Sequence, residues 1–175
     1  METKDLLIRE SKFSDLDTFY EWETRPEVTE FFSISKDQSR EDVYNKYFKD
    51  LEDPGAEQFT ICMKEDGRPI GRIVMADIIK GWKGEVWRIY IADTALRNRG
   101  YGRQALKAIM DHCFNDLGLE RLYLDHYTGN PAGFLYKSMG FLEEGVLRKN
   151  CMKDGVMHDV HLMSMLKEEY DRLYR

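Results

Sequence analysis

Glycines and arginines lie close together in one stretch, Arg97 to Arg103, which reads Arg-Asn-Arg-Gly-Tyr-Gly-Arg. Glycine lets the main chain approach a ligand closely, and arginine forms bidentate hydrogen bonds with phosphate oxygens. The pattern predicts a strand that ends at Ile91 before this stretch and a helix over 102–117 after it. The free amides of a helix N-terminus favour an anion. The stretch therefore predicts a binding site for a ligand that carries a pyrophosphate.

Two common phosphate motifs fit this stretch less well. A P-loop needs Lys followed by Ser or Thr after its last glycine, but Arg103-Gln104 follows Gly102 here. Gly100-x-Gly102-x-x-Ala105 satisfies a dinucleotide fingerprint, and Asp125 lies where a ribose-binding acid is expected. However, a helical region and a hairpin precede it, and the chain that follows is too short for several more βα units. A NAD-dependent oxidoreductase is therefore the less favoured alternative.

A second stretch supports another ligand. It runs from Asn130 through Ala132 to Leu135-Tyr136-x-x-x-Gly140-Phe141. In these two stretches the chain resembles the GNAT superfamily of N-acetyltransferases. The turn is similar to that family's R/Q-x-x-G-x-G/A signature for the pyrophosphate of acetyl-CoA. The later stretch is similar to its N-x-x-A-x-x-L-Y-x-x-x-G-F segment. The start Trp22-Glu23-x-Arg25-Pro26 is similar to the branch that contains ribosomal-protein and polyamine acetyltransferases.

The resemblance implies a fold and a reaction. The implied fold is α/β, the single-domain acyl-CoA N-acyltransferase fold, with a mixed central sheet of about seven strands flanked by helices across residues 1–175. The implied reaction transfers the acetyl group of acetyl-CoA, the co-substrate, to a primary amine through a tetrahedral intermediate. The alternative within this resemblance is a module that binds acetyl-CoA without transferring its acetyl group.

The resemblance also implies which residues contact acetyl-CoA. They lie on the central strand, in the turn and near the start of the later helix: Ile89, Tyr90, Ile91, Arg97, Asn98, Arg99, Gly100, Tyr101, Gly102, Arg103, Asn130, Gly133 and Tyr136. Backbone N–H groups on a splayed strand near Ile89–Ile91 would polarise the thioester carbonyl. The family usually has Asn seven residues before the Tyr, where this chain has Gly129. Asn130 therefore either reaches the pantetheine or only caps the helix.

Tyr136 and Glu85 are the expected catalytic residues. Tyr136 is the candidate general acid toward sulfur, and its alternative role is core packing beside neighbouring apolar residues. Glu85 is the candidate base for the amine, with Asp77 and the pair Asp125-His126 as rivals, and its alternative is a solvated hairpin residue. The segment from His158 to His161 carries two histidines, which we expect to be structural rather than catalytic.

The acceptor is expected between the N-terminal helices and the central sheet. The residues that could line its site are Trp22, Glu23, Phe31, Phe32 and Trp87, and the same residues would serve equally well as core. An aromatic and acidic lining suits a cation. A polyamine, another small amine, a protein N-terminus and a lysine side chain all stay open as acceptors.

These residues need a defined set of elements to position them. Apolar periodicity predicts strands over 6–10, 58–63, 69–80, 85–91, 121–125, 142–152 and 156–166. Ser14 is the expected N-cap of the first helix, Pro26 opens a short helix over 27–32, and Ser39 with Asp42 forms a capping box. The third helix places Val43, Tyr47, Phe48 and Leu51 at helical spacing. A helix is also expected over 131–139, and the charged end, residues 167–175, is expected to be a frayed helix.

Composition excludes several classes of protein. The formal net charge is −6 over 175 residues, which argues against binding to nucleic acid. The three cysteines show no metal-ligand spacing, so no metal is expected. There is no signal-like start and no apolar run of about 20 residues, so we expect a cytoplasmic protein with no membrane partner. Acetyltransferases that resemble this chain are often dimers, so a homodimer is among the expected assemblies.

Overall fold

Seven strands form one mixed sheet in the computed structural model, which describes residues 1–175. The strands are β1 (Leu6–Glu10), β2 (Glu57–Met63), β3 (Pro69–Ile79), β4 (Lys83–Ile91), β5 (Arg121–Tyr127), β6 (Leu142–Lys153) and β7 (Val156–Leu166). Their order across the sheet is β1-β2-β3-β4-β5-β7-β6. Only β4 and β5 pair in parallel. The predicted α/β class and the mixed sheet of seven strands are confirmed.

Six helices flank the sheet: α1 (Leu16–Glu23), α2 (Pro26–Thr29), α3 (Arg40–Glu52), α4 (Tyr101–Asp111), α5 (Ala132–Ser138) and α6 (Lys167–Tyr174). The expectation that Ser14 caps the first helix is wrong. A 3₁₀ turn over Phe13–Asp15 precedes α1, and the buried Asp15 carboxylate accepts the Lys12 N–H at 2.8 Å. Arg9 positions the Asp15 carboxylate for this bond, with its Nη1 2.7 Å from the Asp15 Oδ2.

Helix α3 confirms the capping box and corrects its buried face. The Ser39 hydroxyl accepts the Asp42 N–H, and the Asp42 carboxylate accepts the Ser39 N–H. Val43 and Tyr47 are buried, whereas Phe48 and Leu51 are exposed. Only a narrow stripe of α3 therefore meets the sheet. Phe48 instead packs with Phe13 at the surface, with ring centroids 6.0 Å apart.

The C-terminal segment is a helix, as expected, but it is packed on the protein, so the expectation that it frays is wrong. Tyr170 of α6 is only 3% exposed and stacks on Phe114, with ring centroids 4.7 Å apart. Its hydroxyl donates to Asp111 at the end of α4. Beyond α4 the chain continues as a π-helical turn over His112–Asp116. The apolar side chains of α4 and this turn fill the main core against one face of the sheet.

Strands β4 and β5 diverge in the middle of the sheet. Their parallel register joins Lys83–Glu85 to Arg121–Tyr123 and stops there. From Val86 onward, β4 pairs only with β3 on its other side. A gap therefore opens between the two central strands, at the place where a splayed strand was expected. This gap and the adjacent start of α4 position the candidate site.

Candidate active site

A cavity of about 330 Å³ occupies the gap between β4 and β5. Its walls include many of the residues expected to contact acetyl-CoA: Ile89, Tyr90, Ile91, Arg97, Asn98, Gly102, Asn130 and Tyr136. The remaining expected residues lie outside this lining, in or beside the turn and α5: Arg99, Gly100, Tyr101, Arg103 and Gly133. The two sequence motifs therefore meet in one site.

The turn before α4 has the backbone geometry of an anion site. Gly100 stands at the N-cap of α4 with φ +86°, a left-handed conformation that favours glycine. The first N–H to bond back within the helix is that of Gln104, which donates to the Gly100 carbonyl. The amides of Tyr101, Gly102 and Arg103 thus have no helical acceptor. They are available to an anion at the mouth of the cavity.

The arginines of the turn have no carboxylate partners. Arg97, Arg99 and Arg103 make no ion pair, whereas other arginines, such as Arg9 and Arg121, pair with nearby carboxylates. Because the chain as a whole is acidic, this local excess of positive charge is notable. The turn therefore attracts an anion by its charge as well as by its amides.

Arg97 also holds the turn in place. Its Nε donates to the Ile91 carbonyl at the end of β4 at 3.3 Å, and its Nη2 donates to the Glu27 carbonyl in α2 at 2.6 Å. Arg103 reaches α5 instead, where its Nη2 lies 2.5 Å from the Ser138 hydroxyl. Arg97 and Arg103 therefore contact only neutral groups here, and no carboxylate offsets their positive charges.

Strand β4 presents amides to the cavity. The N–H of Ala92 donates to the Ile70 carbonyl of β3 at 2.8 Å. Because N–H groups alternate sides along a strand, those of Ile91 and Ile89 point the other way, into the gap. The N–H of Tyr90 points toward β3 instead. The Tyr90 hydroxyl donates to the buried Glu23 carboxylate at 3.0 Å. The cavity wall therefore has two backbone donors without a strand partner.

Tyr136 of α5 reaches the cavity with its hydroxyl free. The side chain is 6% exposed and lines the cavity, and its hydroxyl makes no hydrogen bond to the protein. Burial, with the nearby Asp125 carboxylate, raises the pKa of Tyr136 to about 12. A tyrosine with this pKa keeps its proton at neutral pH and can donate it to a developing anion.

Asn130 and Gly133 have structural roles at the start of α5. The Asn130 side-chain oxygen accepts the Ala132 N–H at 2.9 Å, so Asn130 caps the helix and also lines the cavity. A Cβ at Gly133 would lie 2.7 Å from the ring of His126. Glycine is needed there because α5 packs directly on that histidine.

Three carboxylates from adjacent strands meet where β4 and β5 separate. Glu85 lies at the last paired position of β4, Asp77 on β3 and Asp125 on β5. Burial, and then the charges of Asp125 and Asp77, raise the pKa of Glu85 to about 7. The surrounding walls also raise the pKa of Asp125, although its side chain is open to the cleft. The rival bases considered from sequence therefore form one acidic cluster.

A second cavity, of about 270 Å³, lies beside this cluster. Its walls combine carboxylates with aromatic side chains: Phe31, Phe32, Glu85, Trp87, Asp125 and Tyr127. Phe31 and Phe32 lie in the segment that follows α2, so this segment forms one wall of the cavity. These carboxylates and aromatic rings suit a cation, and Arg88, which also lines the cavity, is paired with the buried Glu23.

Trp22 and Glu23 do not line this second cavity, which corrects the expected acceptor lining. Trp22 is 7% exposed within the smaller core. The buried Glu23 carboxylate is 2.8 Å from both Arg72 and Arg88. These two guanidinium groups neutralise it, so Glu23 anchors α1 to the sheet.

The hairpin of β6 and β7 supplies wall residues that the sequence did not reveal. Tyr127 places its hydroxyl 2.8 Å from the Cys151 sulfur. Lys153, at the tip of the hairpin, donates to the carbonyls of Thr29 and Phe32. Each Lys153 contact joins residues more than 120 positions apart, and no local pattern in the sequence links them.

His161 of β7 is held by contacts with neighbouring side chains. His161 bonds Thr128 at 2.8 Å and Glu143 at 3.1 Å, and it stacks on His126 with ring centroids 5.0 Å apart. No cluster of three or more His, Cys, Asp or Glu side chains is arranged to hold a metal ion. None of the helices has the length and apolar character needed to cross a membrane.

Known proteins share this sequence pattern and fold. A family model described as the acetyltransferase (GNAT) domain matches residues 5–141. An uncharacterized N-acetyltransferase, YnaD, of Bacillus subtilis (strain 168) is 26% identical over 172 residues, which cover 97% of this chain and 98% of that protein. The spermidine N(1)-acetyltransferase of Vibrio cholerae is 29% identical over 131 residues, 74% of this chain and 73% of that protein. A crystal structure of spermidine N-acetyltransferase from Vibrio cholerae with CoA and spermine superposes with a TM-score of 0.87 and 24% identity, covering 96% and 99% of the two chains.

Proposed function

The chain belongs to the acetyltransferase (GNAT) domain family and transfers an acetyl group from acetyl-CoA to an amine, and from that premise we propose that its acceptor is a small amine with more than one positive charge. The acidic cluster carries this proposal. Glu85 and Asp125 line the cavity that Trp87 and Phe32 also line, and Asp77 lies near Glu85 on the neighbouring strand β3. One carboxylate suffices as a base, so the others are free to attract a second ammonium group.

The similarity to a spermidine N(1)-acetyltransferase supports the same choice of acceptor. A polyamine offers one amine for reaction and at least one more positive charge for binding. A protein N-terminus or a free amino acid brings a single ammonium group, and the amino acid adds a carboxylate that the acidic cluster repels. A polyamine is therefore the acceptor that fits the charges of the site best.

We place acetyl-CoA with its pyrophosphate at the turn and its pantetheine arm in the cavity between β4 and β5. The amides of Gly102 and Arg103, with the side chain of Arg99, hold the phosphates. The N–H groups of Ile89 and Ile91 polarise the thioester carbonyl, because an unpaired strand edge supplies donors at fixed positions.

The reaction follows from the groups on either side of the carbonyl carbon. Glu85 removes a proton from the acceptor ammonium, directly or through a water molecule, and the neutral amine attacks that carbon. The β4 amides stabilise the oxyanion of the tetrahedral intermediate. The carbon–sulfur bond then breaks, and Tyr136 donates a proton to the departing sulfur. The nitrogen loses its second proton as the amide forms, and this proton returns to Tyr136 through solvent, while the proton held by Glu85 is released to solvent. The products are the N-acetyl amine and CoA with a free thiol. The pKa of Glu85, about 7, suits a base that works near neutral pH.

The experiment that tests this function measures thiol release from acetyl-CoA with matched amines. The panel pairs spermidine and 1,4-diaminobutane with butylamine, a free amino acid and a peptide N-terminus. We expect kcat/KM to be at least about tenfold higher for the diamine than for butylamine, which corresponds to about 1.4 kcal/mol from the second charge. Equal rates, or a preference for the amino acid or peptide, would contradict the proposed acceptor. CoA binding without turnover of any amine would favour the binding-module alternative.

We also propose a homodimer that uses the edge strand β6. This strand is exposed along most of its length and carries apolar side chains, among them Leu142, Val146, Leu147 and Met152. A long exposed edge with apolar side chains is a ready surface for pairing with another chain. Light scattering coupled to size-exclusion chromatography measures the assembly, and a monomer at all concentrations would contradict it. The cysteines Cys62, Cys113 and Cys151 are free thiols, which fits the proposed reducing, cytoplasmic location. We also propose that the 175 residues form one domain.

A further inference from the structure

Phe134 is the most exposed large apolar side chain of the protein, at 81% exposure. Two of its neighbours in α5 have inward contacts. Gly133 packs on His126, and Tyr136 lines the cavity. A single exposed aromatic residue is common on protein surfaces. The position of Phe134 beside the phosphate turn is what gives it significance.

Helix α5 lies directly against the beginning of α4. A Cβ built on Gly102 would lie 3.6 Å from the Leu135 side chain, and Arg103 contacts Ser138 at 2.5 Å. Ser138 follows Phe134 by four residues, so both share one face of α5. Phe134 therefore lies on the same face of α5 as the serine that contacts Arg103, close to the start of α4.

The chemistry of the co-substrate brings its adenine to the start of α4. In CoA the pyrophosphate joins the pantetheine arm on one side to the adenosine on the other. The cavity between β4 and β5 takes the arm, so the adenosine leaves the turn on the solvent side. On that side Arg99 and Arg103 make no ion pair, and Phe134 presents an open aromatic face. An aromatic ring beside guanidinium groups is a common platform for a nucleotide base.

We propose that Phe134 is the stacking platform for the adenine of acetyl-CoA, with Arg103 beside it. The inference rests on the proposed pyrophosphate site. It adds to that site a contact with the adenine, for which neither the turn nor the cavity provides a partner. It assigns Phe134 to binding of the co-substrate and gives it no part in the chemical step.

Calorimetric titration of CoA and of 4′-phosphopantetheine, which lacks the adenosine, tests the proposal. Stacking of one base on an aromatic side chain contributes about 1–3 kcal/mol by alanine substitution, so Phe134→Ala should raise the Kd of CoA roughly 5- to 100-fold. The Kd of 4′-phosphopantetheine should stay within about twofold of the wild-type value. Phe134→Trp should restore or tighten CoA binding.

Phe48→Ala serves as the matched control, because Phe48 is also exposed, at 47%, but lies on α3. We expect it to leave both dissociation constants unchanged. If Phe134→Ala binds CoA as tightly as the wild type does, the stacking role of Phe134 is contradicted but the pyrophosphate site is not. An equal loss of affinity for CoA and for 4′-phosphopantetheine would contradict the stacking role in the same way. A wild-type protein that binds no CoA in the same titration would instead contradict the pyrophosphate site and, with it, the platform.

Discussion

Glu85 of β4 faces Tyr123 of β5 in the last residue pair that joins these two strands. One residue further along β4 the strands separate and the cavity begins. The Tyr123 hydroxyl donates to Asp77 at 2.9 Å, which holds a second carboxylate near Glu85. The base proposed for the amine therefore stands at the point where the cavities for donor and acceptor meet. Because Glu85 stands where the two cavities meet, its ionisation is the property of the site to measure first.

The rate of acetyl transfer should depend on a single base with a pKa near 7. The pKa of Glu85 is raised to about 7 by burial and by the charges of Asp125 and Asp77. Since only the ionised carboxylate accepts a proton, kcat/KM should rise with pH through about 7 and then level. Glu85→Gln should lower kcat roughly 10²- to 10⁴-fold. A pH–rate profile of each protein measures both effects.

Asp77→Asn supplies the internal control for that profile. Removal of its negative charge makes ionisation of Glu85 easier, so the rising limb should move to lower pH. Asp66→Asn, in the exposed turn between β2 and β3, should leave the limb in place. A limb that is unchanged in Glu85→Gln would show that another group is the base.

Tyr136→Phe should separate catalysis from binding. The substitution removes a hydroxyl that makes no hydrogen bond to the protein and keeps the buried ring, so the fold should be retained. Without a proton donor, sulfur leaves as a thiolate, and we expect kcat to fall roughly 10²-fold or more. The Kd of CoA, measured by titration, should change by less than about twofold. An unchanged kcat would assign Tyr136 to packing alone.

The sequence was sufficient to locate the turn and α5, because both depend on local chemistry. Gly100 adopts φ +86° at the cap of α4, and the Leu135-Tyr136 segment forms a short helix beside it. The separation of β4 from β5 was not readable from the residues, because it depends on how far two distant segments stay in register. The same limit applies to Glu23, whose arginine partners lie 49 and 65 residues away.

Local propensity also failed where a tertiary contact decided the outcome. Ser14 is a good cap by residue type, yet it lies inside a 3₁₀ turn in which Asp15, paired with Arg9, accepts the Lys12 N–H. Tyr170 lies in a highly charged segment, yet stacking on Phe114 orders the final helix. In both cases a single long-range or buried contact outweighs the average character of the segment.

Gly102→Val should prevent CoA binding without unfolding the protein. An added Cβ at Gly102 meets only Leu135, at 3.6 Å, and extends toward the cavity that the ligand needs. CoA at 100 times its Kd should stabilise the wild type by about 2.7 kcal/mol and this variant not at all, as measured by thermal unfolding. Gly145→Val is the control, since nothing lies within 4 Å of its Cβ position. Gly100 is less suitable, because its φ of +86° would strain any side chain. A CoA-dependent shift that persists in Gly102→Val would contradict the site.

Glu23→Gln should destabilise the fold. Burial alone would raise the pKa of Glu23, but Arg88 and Arg72 hold it below its usual range. Its contribution to stability is therefore present above the unfolded pKa, about 4.3, and is lost as the pH falls through the lower, folded value. Loss of one partner from a buried ion pair costs about 3–5 kcal/mol, because the remaining charges stay buried. Urea unfolding should show this loss for Glu23→Gln and not for Glu21→Gln, on the exposed face of α1. Equal stability of the two variants would contradict the anchor role.

Lys153→Met should weaken acceptor binding more than catalysis. The Lys153 ammonium donates to the carbonyls of Thr29 and Phe32, and so ties the hairpin of β6 and β7 to the segment that covers the second cavity. Methionine keeps most of the apolar stem but has no donor, so the Phe32 wall should loosen. We expect the KM for the amine to rise about three- to tenfold, while kcat and the KM for acetyl-CoA stay within about twofold. Lys36→Met is the control, because Lys36 forms only an exposed ion pair with Asp154, next to Lys153. Steady-state kinetics with both substrates varied measures these constants, and a parallel rise of both KM values would show that Lys153 supports the whole site rather than the acceptor wall.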